Sequence, residues 1–404
     1  MGKLALFACT VSLLIGCTLE NDKNNKTSYH SFESYADFQQ TLYNIILIED
    51  SIERENTLLA FWDSLKLNRQ IPFAINDSVA FLYKGQADSV SWAGDFSGWK
   101  PINGKQLVDN NLWMLEQVFP SDARLDYKVV VGPDWILDPA NSNIQYSGWG
   151  ANSELRMQNW VYPQETVLKE GVRRGNVSDD QIMAASTQTL NYKVQYKVYT
   201  PVDYENLSNL PVIYVTDGHE YADDNEGAML IILDNMISAQ VIPPVIAVFI
   251  DPRDPDDLNK NKRMEQYTGN RKFADFVADE LVPVIDANYK TNNSPDARAI
   301  MGTSLGGLNS AYFGVTRSDK FHLIGIHSPS PNKQIIQAYE NSEKLPLKIF
   351  MGTGVIHDTE NQARALKAVF EEKGYPLQYM EVNQGHSWGN WRAMLNEPLI
   401  YFFG

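Results

Sequence analysis

Gly302-Thr303-Ser304-Leu305-Gly306 sets a hydroxyl between two glycines. The run Ala297-Arg298-Ala299-Ile300-Met301 precedes it, and Gly307 leads into the helix-like stretch Leu308-Asn309-Ser310-Ala311-Tyr312-Phe313. A G-x-S-x-G pattern between a strand and a helix is a nucleophile elbow, in which the serine sits at the tip of a sharp turn. Side chains at the flanking positions would collide with the strand or the helix, so glycine is needed there. The chemistry implied is attack of the Ser304 oxygen on an electrophilic carbonyl carbon.

A serine hydroxyl needs a base. Six histidines are available: His30, His219, His322, His327, His357 and His386. In triads built on such an elbow the chain order is serine, then Asp or Glu, then histidine. His386 fits, in Gln384-Gly385-His386-Ser387-Trp388, after the apolar run 377–382 that reads as the last strand. His322 and His327 flank the apolar strand 323–326 and read as packing or pocket-wall residues. His30 lies in an N-terminal tether. His219 follows Asp217-Gly218 and is placed at the pocket, but it precedes the serine.

The acid is sought between Ser304 and His386, behind a strand. Residues 347–352 read as such a strand, and the loop after them contains His357, Asp358 and Glu360. Asp358 is the first choice and Glu360 the second. Residues 361–373 carry helical periodicity (Ala363, Leu366, Val369, Phe370) closed by Gly374. A carboxylate just ahead of that helix has a competing role at its N-terminal N–H groups.

The elements that must position these residues alternate from about residue 161 to the end. Strands are predicted at 195–199, 212–216, 245–250, 299–302, 323–327, 348–351 and 377–382. Helical runs lie between them, the clearest at 271–289, which Pro283 should bend without ending. This alternation implies a mostly parallel, helix-flanked sheet, with ligands bound at the carboxyl ends of its strands. Residues 31–76 read as an N-terminal helical segment with Phe38, Leu42, Ile45, Ile46, Ile52, Leu58, Leu59, Phe61, Trp62 and Leu65 inward. Residues 77–150 show short strands separated by turns, the pattern of a small antiparallel β-sandwich.

The chain has 404 residues and a formal net charge of −16. That charge speaks against nucleic-acid binding, which needs a basic footprint. The densest acidic stretch, 251–257, lacks calcium-loop spacing and reads as solvated. Lys3 followed by an apolar run to Leu14 is a leader too short to span a bilayer, and Leu14-Ile15-Gly16-Cys17 matches a bacterial lipoprotein processing site. Cleavage would leave Cys17 lipidated behind a flexible tether, residues 18–30, anchoring the protein in the bacterial cell envelope. Cys9 departs with the leader, which excludes disulfides, thiol nucleophiles and thiolate metal sites in the mature chain. No metal or organic cofactor is expected.

From about Glu165 to Phe403 the chain resembles the putative-esterase family of α/β-hydrolases, which includes enterochelin, feruloyl and acetyl-xylan esterases. The matching segments are Val198-Tyr199-Thr200-Pro201, residues 211–218, Arg263-Met264-Glu265, residues 302–307, and Gly385-His386-Ser387-Trp388 with Trp391-Arg392. The resemblance implies an α/β-hydrolase domain over residues 161–404, a Ser304, Asp358 and His386 triad, and oxyanion donors from the backbone N–H of Leu305 and His219. It implies a substrate pocket at Gly218, Arg263, Glu265, Ser330 and Trp388. Phe61-Trp62, Ile71-Pro72 and residues 79–83 look like the front of enterochelin esterases. Residues 93–99 (Ala-Gly-Asp-Phe-Ser-Gly-Trp) are similar to glycogen-binding-type modules, an immunoglobulin-like early-set sandwich in which Trp92, Trp99, Trp113 and Trp135 either stack on sugars or pack internally. The chain departs from its relatives at Ser328-Pro329-Ser330-Pro331-Asn332, where they carry an aromatic residue, so substrate preference is not transferable.

The function implied is hydrolysis of a carboxylic ester through an acyl-enzyme, on feruloyl or acetyl groups of polysaccharide or on a siderophore. The rival classes are a non-catalytic glycan-binding lipoprotein, and a transferase or peptidase using the same three residues.

Overall fold

The computed structural model describes residues 32–108 and 111–404. The leader, Cys17 and the tether, with His30, lie outside the described residues.

The C-terminal region is organised by one mixed sheet. Its path runs through Asn176–Val177, Lys193–Thr200, Ile246–Asp251, Val212–Thr216, Arg298–Thr303, Leu323–His327, Lys348–Gly354 and Leu377–Val382. Lys193–Thr200 is antiparallel to Ile246–Asp251; from there to Leu377–Val382 every pairing is parallel. Parallel strands are covered on both faces and therefore read as unbroken apolar runs rather than alternating ones. Val212–Thr216 and Ile246–Asp251 are buried at every position. Alternate side chains nevertheless serve different cores. Val212 and Tyr214 join Phe276, Leu308 and Phe313 on one face, while Ile213 and Val215 join Ile232, Leu233, Trp388 and Leu395 on the other.

Chain order reverses around Val212–Thr216, whose neighbours are the next two strands of this sheet in sequence. Such a switch point opens a crevice at the carboxyl ends of the strands. The turns bearing Asp217 and Ser304 lie side by side there, because Val215 pairs with Met301. The run 271–289 is helical over Arg271–Asp275 and Val282–Asn288, but Phe276–Leu281 between them is a π-helix. Pro283 has no N–H to close an α-type bond to the preceding turn, and the widened segment absorbs that loss.

Ahead of the sheet lie two helices and two antiparallel sheets. Tyr35–Ile46 is capped by the Ser34 hydroxyl and Ser51–Leu67 by the Asp50 carboxylate. Phe38, Leu42, Ile45, Leu58, Phe61, Trp62 and Leu65 face inward, with Phe38 stacked on Phe73 at 4.1 Å. Ile52 (71% exposed) and Leu59 do not join this core. The buried stripe is narrower than the periodicity predicts, because Ile52 and Leu59, seven residues apart, share the outward face of Ser51–Leu67. One sheet holds Phe73–Ile75, Ser78–Lys84, Leu112–Val118 and Lys105–Val108; the other is built on Val90–Gly94, Arg124–Val131 and Asn152–Arg156. Val79, Phe81 and Trp113 of the first meet Trp92, Leu125 and Tyr127 of the second in a shared core, and Ala80 and Leu82 point back to the helices. Trp92 and Trp113 are therefore packing residues.

The acidic stretch 251–257 is not uniformly solvated, contrary to the sequence reading. Asp251, the last residue of a buried strand, is itself buried and accepts from Gln195 Nε2 at 2.9 Å and Arg253 Nη2 at 2.6 Å. Residues beyond it form a hairpin, in which Lys262 bonds Asp254 at 2.9 Å.

Candidate active site

Ser304 terminates the strand Arg298–Thr303 and precedes the helix Leu305–Thr316, with φ 58° and ψ −116°. That backbone is strained for a residue with a side chain, and the surroundings hold it in place. A Cβ on Gly302 would lie 2.5 Å from the Gly306 carbonyl group and from Thr216 Oγ1, and one on Gly307 would lie 2.5 Å from the His327 carbonyl oxygen. The Ser304 N–H donates to the same His327 carbonyl at 2.9 Å. The turn is thus clamped between two neighbouring strands, and its hydroxyl is pushed outward.

His386 and Asp358 meet it. His386 Nε2 is 2.9 Å from Ser304 Oγ, and His386 Nδ1 is 2.6 Å from Asp358 Oδ1. The imidazole stands edge-on to Trp391, with ring centres 4.9 Å apart. Asp358 follows the strand Lys348–Gly354 and is completely buried as a side chain. It accepts at Oδ2 from Ser328 Oγ at 2.6 Å, Gly354 N–H at 2.7 Å and Asn390 Nδ2 at 3.2 Å, and at Oδ1 from Thr359 N–H at 2.7 Å. Burial raises the Asp358 pKa, but the bond and charge of His386, with the Ser328 and Gly354 donors, outweigh it and hold the group below the usual carboxylate range. A carboxylate ionised in this way fixes the tautomer of the ring that it holds.

Glu360, the alternative acid, is the first residue of the helix Glu360–Glu372 and makes no bond to His386. Asp358 also accepts from the Thr359 N–H just ahead of that helix, but no side chain caps the helix itself, so the carboxylate serves the histidine first. Sequence gave no reason to select Ser328 or Asn390 as its supports, since both reach Asp358 only through space. Trp391 was legible in the final motif, but not as the wall of the imidazole.

The other named residues divide. His219 and Arg263 line the cleft in front of Ser304, as does Trp388, whose indole N–H donates to Glu220 Oε2 at 2.7 Å. Arg263 is committed to a structural bond: its Nε reaches both oxygens of Asp217 at 2.9 Å, and Nη2 reaches the Thr303 carbonyl at 3.2 Å. It thereby braces the Asp217 turn (φ 57°) against the elbow. Gly218 packs on the backbone of Phe249 and Ile250, behind the cleft, where a Cβ has no room. Ser330 Oγ is 3.5 Å from Ser304 Oγ. Glu265 is an outward-facing residue of the short helix Arg263–Tyr267 and is not in the cleft, because that helix turns only its Arg263 end toward the elbow. His327 is fully buried beside Phe350, and burial pushes its pKa down to about 3 despite the nearby Asp358 charge. Burial likewise lowers the pKa of His219, against the pull of Asp251 and Glu220.

The cleft has a volume of about 1070 Å³. Ser304, His386, His219 and Trp388 line it from the C-terminal region, and Trp99, Lys128, Trp135 and Trp149 from the front region. Trp149 is 98% exposed and Trp135 43%. Trp149 falls within the stretch 77–150 read as a sandwich, but no local pattern singles it out in the sequence.

Comparison with known proteins was consistent with this arrangement. The chain is 25% identical over 242 residues to YjcH, an uncharacterised protein of Bacillus subtilis, covering 56% of this chain and 97% of that protein. It is 25% identical over 300 residues to an endo-1,4-beta-xylanase/feruloyl esterase of Xylanibacter ruminicola, covering 71% of this chain but only 39% of that larger protein. Among solved structures, the ferric enterobactin esterase of Salmonella typhimurium superposes with a TM-score of 0.71 at 17% identity, over 85% of this chain and 98% of that one. Such low identity speaks for the fold, and the likeness extends through the front region. The family profile described as "Putative esterase" matches residues 187–402, just over half of the chain, which therefore belongs to the putative-esterase family.

Proposed function

We propose that this protein is a serine carboxylic-ester hydrolase that works through an acyl-enzyme on feruloyl or acetyl esters carried by polysaccharide. The observation that carries the reading is the continuous path Ser304 Oγ, His386, Asp358, with separations of 2.9 and 2.6 Å. His386 Nε2 takes the hydroxyl proton as Ser304 Oγ attacks the ester carbonyl, and Asp358 stabilises the imidazolium formed. The tetrahedral oxyanion is assigned to the backbone N–H groups of Leu305 and His219. Both belong to first turns of helices, Leu305–Thr316 and Gly218–Ala222, where N–H groups lack intrahelical acceptors. His386 then returns its proton to the departing alcohol, and a water activated by the same ring releases the acid.

Two features support a neutral, ring-bearing substrate. Exposed Trp135 and Trp149 line the cleft that holds Ser304, and belong to an immunoglobulin-like sandwich on our reading. The cleft charge also matters. Arg253 pairs with Asp251 and Arg263 with Asp217, so Lys128 alone of the described lining cations is outside an ion pair, in a lining that also holds Asp126, Glu220, Asp223 and Glu226. Burial, with the charges of Glu220 and Asp223, pushes Glu226 up to about 8, as expected where negative charge is already in excess. A polyanionic ligand gains little there. The second reading, cleavage of a siderophore ester, draws on the shared two-region architecture with the enterobactin esterase.

Ser304→Ala should lower turnover on the order of 10⁴-fold or more. Wild-type protein should react with a fluorophosphonate at Ser304, whereas a glycan-binding protein without catalysis would not. A panel of methyl ferulate, acetylated xylan, enterobactin and p-nitrophenyl acetate separates the two substrate readings; preference for enterobactin would overturn the first. An alcohol acceptor and an amide substrate distinguish a transferase or a peptidase. We also propose that Cys17 is acylated and tethers the protein to the cell envelope, which mass spectrometry of the mature N-terminus would test.

A further inference from the structure

We propose that the front region is part of the catalytic apparatus, with Arg124 as a positioning residue that holds the loop carrying His386; this rests on the hydrolase reading above. Arg124 opens the strand Arg124–Val131 and is completely buried. Its Nε donates to Glu154 Oε1 at 2.5 Å and its Nη2 forms an ion pair with Asp126 Oδ1 at 2.5 Å. A guanidinium serving its own region alone would end there. Instead Nη1 reaches out of this cage and donates to Ser387 Oγ, next to His386, at 2.9 Å.

The loop is fitted to the front region at every step. The Arg124 N–H donates to the Asn383 carbonyl at 3.2 Å, and Asn383 Nδ2 donates to Asp122 Oδ1 at 2.8 Å. Asp95 fills the space over Gly385, and the Arg124 guanidinium fills the space over Gly389; a Cβ at either glycine would overlap them. Both glycines therefore leave room for side chains from another part of the chain. From the opposite side, Asn390 Nδ2 bonds the Gly385 carbonyl at 2.9 Å as well as Asp358. The residues on either side of His386 are thus held from two directions, one of them the front region. Burial and the Asp126 charge push Asp95 up to about 8, and burial raises Asp126 as well, against the pull of Arg124. Because His386 must stay within hydrogen-bonding reach of both Ser304 and Asp358, a shift of its loop by about 1 Å is enough to impair turnover on the order of 10²-fold.

The test uses the full chain with p-nitrophenyl acetate, an ester too small to depend on the tryptophan wall. Arg124→Lys, Ser387→Ala and the double variant are compared with wild type for kcat, KM, Tm and the rate of fluorophosphonate labelling. Each single variant should lower kcat and labelling by roughly 10-fold to 10²-fold with KM nearly unchanged, the pattern of a defect confined to the chemical step. The double variant should be no slower than the slower single one, because both cut the same link. Wild-type kcat in folded variants, a change confined to KM, or losses that multiply would each overturn the proposal. If Arg124→Lys does not fold, Ser387→Ala decides alone, since it leaves the cage charges in place. A wild-type chain that hydrolyses no ester and does not label would sink the hydrolase reading and this inference with it. An active wild type with unimpaired variants would sink only the inference.

Discussion

The two oxygens of Asp358 have separate duties: Oδ1 faces His386 and the Thr359 N–H, while Oδ2 takes Ser328, Gly354 and Asn390. Asp358→Asn keeps the shape but presents an amide donor to the ring, so turnover should fall on the order of 10⁴-fold. Glu360→Gln should stay close to wild type; the reverse ranking in a steady-state assay would mean the acid is misassigned. His327 gives a pH signature. Burial holds its folded pKa near 3 against 6.5 in the unfolded chain, so below pH 6.5 the unfolded state binds a proton that the native state refuses. Stability therefore falls as pH drops through that interval, by about 1.4 kcal/mol per unit from this group. His327→Leu should flatten the dependence of Tm on pH between about 6.5 and 4; parallel curves for the two proteins would refute it. At this scale the legible residues were those with a local signature. Ser304 announced itself through its glycines and His386 through its place after the last strand. Ser328 and Asn390 act across the fold and left no trace in spacing.

Strands and their turns carried most of the readable information, because a buried parallel sheet demands continuous apolar runs that few other structures need. The elbow shows how closely those elements fit. Gly302→Ala would set a methyl 2.5 Å from the Gly306 backbone, which cannot yield without shifting the helix, as well as from Thr216 Oγ1. Gly306→Ala meets first the Thr216 hydroxyl at 2.7 Å, a side-chain atom that can move. The first should cost about 1–3 kcal/mol or prevent folding, and the second distinctly less. Urea midpoints measure both, and equal losses would contradict the argument. Element-level reading failed where geometry is decided by neighbours. Nothing in residues 271–289 distinguishes a π-segment from a bent α-helix, and Ile52 fits the helical periodicity but lies on the outward face with Leu59.

For the whole molecule, the consequential fact is that the cleft has two owners. Trp135→Ala with Trp149→Ala should raise KM for a glycan-linked ester by on the order of 10-fold while leaving p-nitrophenyl acetate unaffected, the pattern of lost uniform binding. An equal effect on both esters would place those rings in a structural role. Periodicity marks a helical stretch, then short strands, then alternating strands and helices, but carries no sign of how these stretches fit together. Gly385 and Gly389 look like ordinary turn residues until Asp95 and Arg124 are seen resting on them. That fit bears on protein engineering. A chimera that grafts this C-terminal region onto a foreign leader module would inherit two empty sockets beside its imidazole. Residues 122–126 and the loop 383–389 should accordingly be transplanted together, as one cassette cut across the customary domain border.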